Sequence, residues 1–380
     1  MTEPHPVILL TGLPSSFVAQ RLLGQLLFTH PAAVVKCLVA EALLEQAQHM
    51  IRRLPMKEQA RVETVRGDAT AMDFGLPGQR FVALARQIDV IHHCVCANYA
   101  GIGRDAARRA YVGATGEVLE LALASDGRLQ RLVHWGSALL SHPNSGRVTE
   151  TEWRRPPAFR SRNDEMRFRA EVLIRDAMQR VPITILRPSI IVGDSRTGEI
   201  DPLEAPYALF QQLLNTPLEL RVPVPGRGDQ FCHFVPIDYV IEAGLAIADD
   251  PRSAGKTFHL TDERPLSVQR VFDLITGAAE RPATAPRLPR NLAALLLRAP
   301  GLERVSVAPR AFLELLAIDV VYDARNARDL LAGTGIECPS LASYLKTVLA
   351  RVQRDQESRS KPRRVRPHPH FEEMDDPLDS

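Results

Sequence analysis

Short apolar segments alternate with amphipathic segments through the first half of this chain, and that alternation constrains the fold more than any other feature. The apolar segments are mostly rich in β-branched residues, as expected for buried strands of a parallel sheet. They lie at Val7 to Leu10, Val34 to Val39, Val62 to Val65, Ile88 to Cys96, Leu132 to Trp135 and Ile183 to Val192. The amphipathic segments, which predict helices, include Phe17 to Leu27, Ala106 to Ala124 and Glu165 to Arg180. This repetition predicts a doubly wound parallel α/β sheet, a class whose ligands bind beyond the carboxyl ends of the strands.

The pattern changes after about Gly193, where prolines become frequent and the segments shorten. We therefore predict a doubly wound domain over residues 1–200, its sheet completed by later strands around 230–262, and a smaller C-terminal substrate lobe over most of residues 201–353. A last helix is expected at Ser340 to Arg351. The tail from 354 to 380 is first basic and then acidic with almost no apolar residues, which predicts disorder.

Composition narrows the range of partners. The 47 basic and 45 acidic residues leave a net charge of +2, so nothing in the overall charge favours nucleic acid. No apolar run approaches the ~18 to 20 residues of a membrane span, and the N-terminus lacks the features of a signal peptide. With five cysteines and no regular spacing, we expect a cytoplasmic protein without a disulfide framework. Cys94 and Cys96 are interpreted as buried strand residues, not as metal ligands.

The first strand runs into a short turn that opens a helix. Thr11, Gly12, Ser15, Ser16 and Phe17 make up most of that turn. A doubly wound domain binds a pyrophosphate at this position, because the backbone N–H groups at the helix N-terminus face the phosphates and glycines allow their close approach. One glycine is present here, and small residues stand where two further glycines are expected. The motif by itself also fits an ordinary strand-to-helix turn.

Several segments together resemble the extended short-chain dehydrogenase/reductase family, particularly its thioester-reductase and fatty acyl reductase-like branch, which belongs with the NAD-dependent epimerase/dehydratase-like proteins. The resemblance spans about residues 7–352 and rests on the order and spacing of the segments. They are Val7 to Gly12, Arg66 to Asp68, Asp89 to His93, Tyr111 to Ala122, Leu186 to Ser195 and His233 to Val240. The resemblance implies a Rossmann-like domain that binds NAD or NADP and reduces a carbonyl or acyl thioester.

Family proteins use a Tyr-x-x-x-Lys pair on one helix, in which the ammonium lowers the pKa of the phenol. Alignment on Ala170-Glu171 places Asn163 at the tyrosine position and Arg167 at the lysine position. Arg167 keeps a positive charge that can hold ribose hydroxyls, whereas Asn163 has no ionisable proton. None of the six tyrosines has a lysine four residues later, and no lysine occurs between Lys57 and Lys256. The pair is therefore missing under any alignment.

Other family positions can be assigned in the same way. The resemblance gives Ser137 the role of the active-site serine, and Tyr111 stands where relatives have an asparagine. Asp68 matches the residue that contacts the adenine, and Pro188 ends the sixth strand beside the cofactor. Ala40 follows the second strand, where NADP-binding relatives often carry an arginine. His92 and His93 are interpreted as structural.

Two functions follow from these residues. In the first, the chain is an NAD(P)H-dependent reductase that uses Ser137 and an unusual acid such as Tyr111. A thioester substrate with an acyl-like tail suits such a site, because a thiolate leaves without prior protonation. In the second, the chain is a pseudoenzyme that binds a dinucleotide, another ligand or a partner in a regulatory role. The loss of glycines, asparagine, tyrosine and lysine together favours the second function, and family descent favours the first.

Overall fold

The computed structural model describes residues 5–94, 103–141, 145–159, 161–201, 205–215, 223–225, 228–280, 285–288 and 319–360. The strands are β1 Val7–Thr11, β2 Val34–Val39, β3 Val62–Arg66, β4 Val90–His93, β5 Arg131–Trp135, β6 Ser145–Val148, β7 Ile183–Pro188, β8 Ile190–Ile191, β9 Pro223–Pro225, β10 Phe231–Cys232, β11 Phe234–Val235, β12 Lys256–Leu260, β13 Leu266–Ser267, β14 Ala285–Leu288 and β15 Asp319–Tyr322.

The helices are α1 Phe17–Thr29, α2 Leu44–Ile51, α3 Met56–Gln59, α4 Gly78–Ala85, α5 Arg104–Arg108, α6 Ala114–Leu123, α7 Arg162–Ala177, α8 Ala205–Asn215, α9 Ile237–Asp249, α10 Val268–Ala278, α11 Arg325–Leu331 and α12 Leu341–Ser360. A single π-helical turn, Arg109–Gly113, joins α5 to α6. Short 3-10 turns occur at Glu41–Leu43, Met72–Gly75, Ala138–Leu140 and Pro251–Ser253.

Seven parallel strands form the main sheet in the order β12-β7-β5-β4-β1-β2-β3. The chain moves outward from β1 to β3 on one side and from β4 to β12 on the other, so β1 and β4 flank the switch point where such sheets bind ligands. One face of the sheet packs against α1 and α9, and the other packs against α4, α6 and α7. The predicted doubly wound, Rossmann-like fold is confirmed.

A separate apolar cluster lies outside the sheet and forms the core of the C-terminal lobe. It contains buried residues of α8, α10 and α12, together with strand residues such as Ile190 and Phe234. The elements of this lobe come from both sides of β12 in the sequence, so the lobe and the sheet domain are interleaved along the chain.

Two predicted strands differ from the structure. The segment predicted at Ile88 to Cys96 begins its strand at Val90, and its last two residues lie outside the described residues. The segment predicted at Ile183 to Val192 is divided at Pro188, which lacks an N–H group for continued pairing. Ser189 then bonds Leu260, and β8 leaves the main sheet to pair with β11.

The later part of the chain adds one strand to the main sheet and ends in a helix that is longer than predicted. Of the strands around 230–262, β12 joins the main sheet beside β7, while β10 and β11 pair outside it. Helix α12 continues to Ser360, with an ion pair between Arg351 and Asp355, so the tail does not begin at residue 354 as predicted. Alternating charges at i and i+4 extend the helix beyond its apolar part. The predicted tail from 361 onward lies outside the described residues.

Candidate active site

The turn after β1 requires a glycine at position 12. Gly12 has a φ of +94°, and a Cβ there would lie 2.1 Å from the carbonyl oxygen of Cys94 at the end of β4. A side chain is therefore excluded on both conformational and steric grounds. Gly12 accepts a hydrogen bond from Ser16 N at 2.8 Å, which closes the turn. This close contact between β1 and β4 occurs at the switch point of the sheet.

The turn retains donors for an anion. Ser16 caps α1 by accepting a hydrogen bond from Ala19 N at 3.2 Å. The N–H groups of Phe17 and Val18 have no acceptor in the described part of the chain, as is usual for the first turn of a helix. Together with the positive end of the helix dipole, these groups fit the pyrophosphate of a dinucleotide. Ser15 and Ser16 take up the space that glycines leave open in a more permissive turn.

Histidines lie beneath this turn at the end of β4. His93 Nδ1 is 2.9 Å from Thr11 Oγ1, and His93 Nε2 is 3.1 Å from Thr115 Oγ1 on α6. Burial lowers the pKa of His93 to about 3. The neighbouring His92 accepts a hydrogen bond from Trp135 Nε1 at 3.3 Å, and burial lowers its pKa to about 4. Both imidazoles are therefore neutral at pH 7.

Ser137 follows β5 and lies at the same edge of the sheet. Its side chain is buried and accepts a hydrogen bond from Leu139 N at 3.3 Å, where it caps the short turn Ala138–Leu140. The preceding Gly136 is tightly packed, because a Cβ there would lie 2.8 Å from Glu171 Oε2 on α7. The serine is thus held on a turn that presses against α7.

Asn163 and Arg167 lie on α7, one turn apart, and Glu171 follows after another turn. Residues at this spacing share one face of a helix. Glu171 is fully buried against Gly136, so this face is directed toward the end of β5. Burial, followed by the charges of His93, Arg187 and Arg167, lowers the pKa of the buried His134 well below its ordinary value. Arg167 is therefore electrostatically coupled to the same strand end.

Tyr111 lies within the π-helical turn and is 4% exposed. Its ring belongs to a small apolar cluster with Ala107, Met166 and Ala170, and the last two are on α7. Tyr111 thus packs against α7, the helix that carries Asn163 and Arg167. A π turn inserts one residue into a helix and is frequent at functional sites.

The remaining predicted cofactor residues lie along the same edge. Asp68 follows β3 and accepts hydrogen bonds from the N–H and hydroxyl of Thr70, both at 2.8 Å. Pro188 ends β7, where it pairs with Leu260 of β12. The carboxyl ends of β1, β3, β5 and β7 therefore bring Thr11, Asp68, Ser137 and Pro188 to one side of the sheet.

Buried contacts that no sequence pattern predicted support this site. Arg187 Nε donates to Glu171 Oε1 at 2.8 Å, and both side chains are almost completely buried. The ring of Trp153 stacks on Phe168 at 4.5 Å between centroids and lies beneath the Arg187 guanidinium. A glutamate eight residues after Asn163 on the same helical face was the available signal for Glu171, whereas nothing local indicated Trp153.

Neither a metal-binding cluster nor a membrane-spanning helix occurs among the described residues. They contain no group of three or more His, Cys, Asp or Glu side chains arranged to hold a metal ion. Among their helices, none combines the length and the apolar character needed to cross a lipid bilayer.

Comparisons with known proteins show the family and the fold of this chain. Residues 10–244 match a family of NAD-binding domains described as male sterility protein. The chain is 27% identical over 318 residues to the hybrid PKS-NRPS synthetase pyvA of Aspergillus violaceofuscus, covering 74% of this chain and 8% of that protein. It is 26% identical over 217 residues to the glycine betaine reductase ATRR of Emericella nidulans, covering 56% of this chain and 17% of that protein. The chain thus spans less than a fifth of these relatives.

Among solved structures, the terminal R domain from the myxalamid PKS-NRPS biosynthetic pathway has the same fold. Its TM-score is 0.79 at 24% identity, and the match covers 94% of this chain and 93% of that one. The family match covers more than half of the chain and includes the glycine turn, Ser137 and α7. This chain belongs to the male sterility protein family of NAD-binding domains.

Proposed function

We propose that this chain is an NAD(P)H-dependent reductase that acts on an acyl thioester, with related carbonyl compounds as further substrates. The proposal rests on one observation: the turn at Gly12, the serine turn at Ser137 and the α7 face of Arg167 all lie at the carboxyl edge of one sheet. The similarity to a glycine betaine reductase supports it, because that name describes a reductase.

The cofactor residues are proposed from their positions. The N–H groups of Phe17 and Val18, with Gly12, Ser15 and Ser16, would hold the pyrophosphate of NAD or NADP. Asp68 would contact the adenine, while Arg167 and Pro188 would lie beside the ribose and the nicotinamide. When bound, the reduced cofactor supplies the hydride that turns the thioester carbonyl into a tetrahedral oxyanion.

The chain's own residues then have limited but sufficient roles. Arg167 provides a fixed positive charge for the oxyanion, and the Ser137 hydroxyl and the Asn163 amide can donate hydrogen bonds to it. Collapse of the oxyanion breaks the carbon–sulfur bond and releases a thiolate, which takes a proton from water. The balanced reaction consumes a thioester, NAD(P)H and a proton and yields an aldehyde, a thiol and NAD(P)+. An ordinary ketone needs a proton donor at its oxygen, a role for which Tyr111, packed against α7, is the candidate phenol.

Asn163 supports a second candidate function. Because an amide has no ionisable proton, a site built around it can bind a dinucleotide without reducing anything. In this alternative the chain is a non-catalytic, cytoplasmic regulator that senses a dinucleotide or acyl-like ligand. A dinucleotide-sensing regulator shares cofactor binding with the reductase and differs from it only in turnover.

A titration with NADPH and NADH tests both candidates, using nicotinamide fluorescence and thermal shift. Saturable binding is expected for the wild type. Gly12→Ala should abolish it because the Cβ collides with Cys94, whereas Gly24→Ala on α1 meets no atom within 4 Å and should bind normally. Acyl thioesters are then added, and oxidation of the cofactor is followed together with the release of free thiol. Turnover supports the reductase, and binding without turnover supports the dinucleotide-sensing regulator. The absence of binding by folded wild type contradicts both of these and leaves only a regulator of another ligand or partner.

A further inference from the structure

Three buried polar side chains form a continuous hydrogen-bonded chain beneath the glycine turn. Thr11, His93 and Thr115 are 2%, 1% and 0% exposed. The imidazole of His93 lies between the two hydroxyls, at 2.9 Å from Thr11 Oγ1 and 3.1 Å from Thr115 Oγ1. Because neither hydroxyl is open to solvent, the imidazole itself carries the connection from β1 to α6. We call these three residues the Thr–His–Thr chain.

A neutral imidazole couples the two hydroxyls. One ring nitrogen carries a proton and donates, while the other accepts. If Thr11 donates to Nδ1, then Nε2 donates to Thr115, and if Thr115 donates to Nε2, then Nδ1 donates to Thr11. The tautomer of His93 therefore ties the orientation of one hydroxyl to that of the other. Hydrogen bonds in series at low dielectric reinforce this dependence.

The two ends of the chain belong to the two parts of the candidate site. Thr11 immediately precedes Gly12 and the turn that faces the cleft. Thr115 lies two residues after the π-helical turn that contains Tyr111, in the helical run that continues into α6. Gly12 in turn touches Cys94, the residue after His93. The Thr–His–Thr chain thus connects the glycine turn to the helical segment that begins with the Tyr111 turn.

We propose that His93 is a positioning residue, which through Thr11 and Thr115 holds the glycine turn and the Tyr111 turn in one fixed relation and transmits a change at either to the other. What the turn binds is taken from the proposed function, but the coupling itself is independent of it. A histidine with only a packing role would stabilise the fold without linking the two turns.

Nuclear magnetic resonance of protein labelled with 15N tests this coupling without any ligand. Thr115→Val removes one hydroxyl at constant shape, and we expect it to change the tautomer signals of the His93 ring and to shift the backbone amide of Gly12. Thr115→Ser keeps the hydroxyl and should restore both. Thr184→Val removes an equally buried hydroxyl on β7, which bonds Ser253, and it should leave the Gly12 amide unchanged.

Cofactor affinity provides a second measurement. Thr115→Val is expected to raise the dissociation constant of the preferred nicotinamide cofactor by about fivefold, the net effect of one hydrogen bond, while Thr115→Ser stays near wild type. The proposal is overturned if Thr115→Val leaves the Gly12 amide and the His93 signals unchanged, or if it leaves the affinity of a binding wild type unchanged. If wild type binds neither NADPH nor NADH, the proposed function fails, whereas the shifts in the ligand-free protein still decide the coupling.

Discussion

The guanidinium carbon of Arg187 lies 4.4 Å from the centre of the Trp153 ring, and the same guanidinium is paired with Glu171 of α7. Trp153 stacks in turn on Phe168, which is buried on α7 together with Ala170 and Glu171. Strand β7, the segment before α7 and α7 itself are therefore joined through one cation. These contacts hold α7 against the sheet and thereby fix the positions of Asn163 and Arg167 relative to Ser137.

Replacing Glu171 by Gln should destabilise the fold by about 3 kcal/mol or more, because it leaves the buried Arg187 charge without its partner. Unfolding in urea, followed by tryptophan fluorescence, measures this loss. The matched control is Glu165→Gln on the same helix, where the glutamate pairs with Arg169 at the surface and its loss should cost less than about 1 kcal/mol. Equal costs for the two variants would contradict a structural role for the buried pair.

Arg167→Gln should lower kcat/KM for an acyl thioester by about a hundredfold, as expected when one charged group that stabilises an oxyanion is removed. Arg169→Gln changes a neighbouring arginine that is exposed and paired with Glu165, so its activity should stay within about twofold of wild type. Steady-state oxidation of NADPH at saturating cofactor measures both. If the two variants retain the same activity, Arg167 has no part in the reaction.

Acid should destabilise the protein through its buried histidines. Burial lowers the pKa of His92 to about 4 and of His93 and His259 to about 3, so the unfolded chain binds more protons than the folded one below pH 6.5. Their stabilising contribution is complete above pH 6.5 and is lost as the pH falls toward these values, by on the order of 2 kcal/mol per histidine between pH 6.5 and 5. Urea unfolding at the two pH values measures the loss.

The contribution of His30 to stability depends on pH in the opposite direction, so His30 serves as the control for that experiment. The hydrogen bond that His30 Nε2 donates to Asp249 raises the pKa of His30, so its contribution to stability is complete below pH 6.5 and is lost as the pH rises through the raised pKa. The variant His30→Gln lacks this contribution, so its stability should fall slightly more steeply than that of wild type as the pH is lowered. A protein that is as stable at pH 5 as at pH 7 would contradict neutral buried imidazoles.

Glu150 should make stability depend on pH in the other direction. Its buried carboxylate accepts hydrogen bonds from the N–H groups of His259, Asn326 and Ala327, and thereby joins β12 to α11. Burial raises the pKa of Glu150 to about 7, against the effect of these three donors. Its contribution is therefore complete below about pH 4.5 and is lost as the pH rises toward 7.

The corresponding variant is Glu150→Gln, which is neutral at every pH. The stability of wild type relative to this variant should be greater at pH 5 than at pH 8, by about 2 kcal/mol, as measured by urea unfolding. Glu152→Gln, at a more exposed glutamate that pairs with Arg154, should show no such trend. If the stability that Glu150→Gln loses relative to wild type instead grows from pH 5 to pH 8, Glu150 is ionised in the folded protein.

Local sequence patterns were enough to predict the strands of the main sheet and most of the residues at its carboxyl edge. Each apolar run that was predicted as a strand contributes a strand to the main sheet, and the run at Ile183 to Val192 also supplies β8, which lies outside it. The runs were recognisable because the strands of a parallel sheet are buried and read as continuous apolar segments. Since all seven strands are parallel, their carboxyl ends lie on one side, which is why Gly12, Asp68 and Ser137 could be assigned to one edge. The absence of a tyrosine–lysine pair was likewise readable from the sequence alone.

The contacts that support the site depended on the tertiary structure. Glu171 and Arg187 are 16 residues apart, Thr11 and His93 are 82 apart, and Glu150 and Ala327 are 177 apart. No local propensity encodes such pairs, because the order of the strands decides which residues meet. The π-helical turn at Tyr111 and the break at Pro188 have the same origin: one is fitted against α7 and the other against β11. Sequence periodicity reports which face of an element is buried, whereas the partner on that face is chosen by the packing of the whole chain.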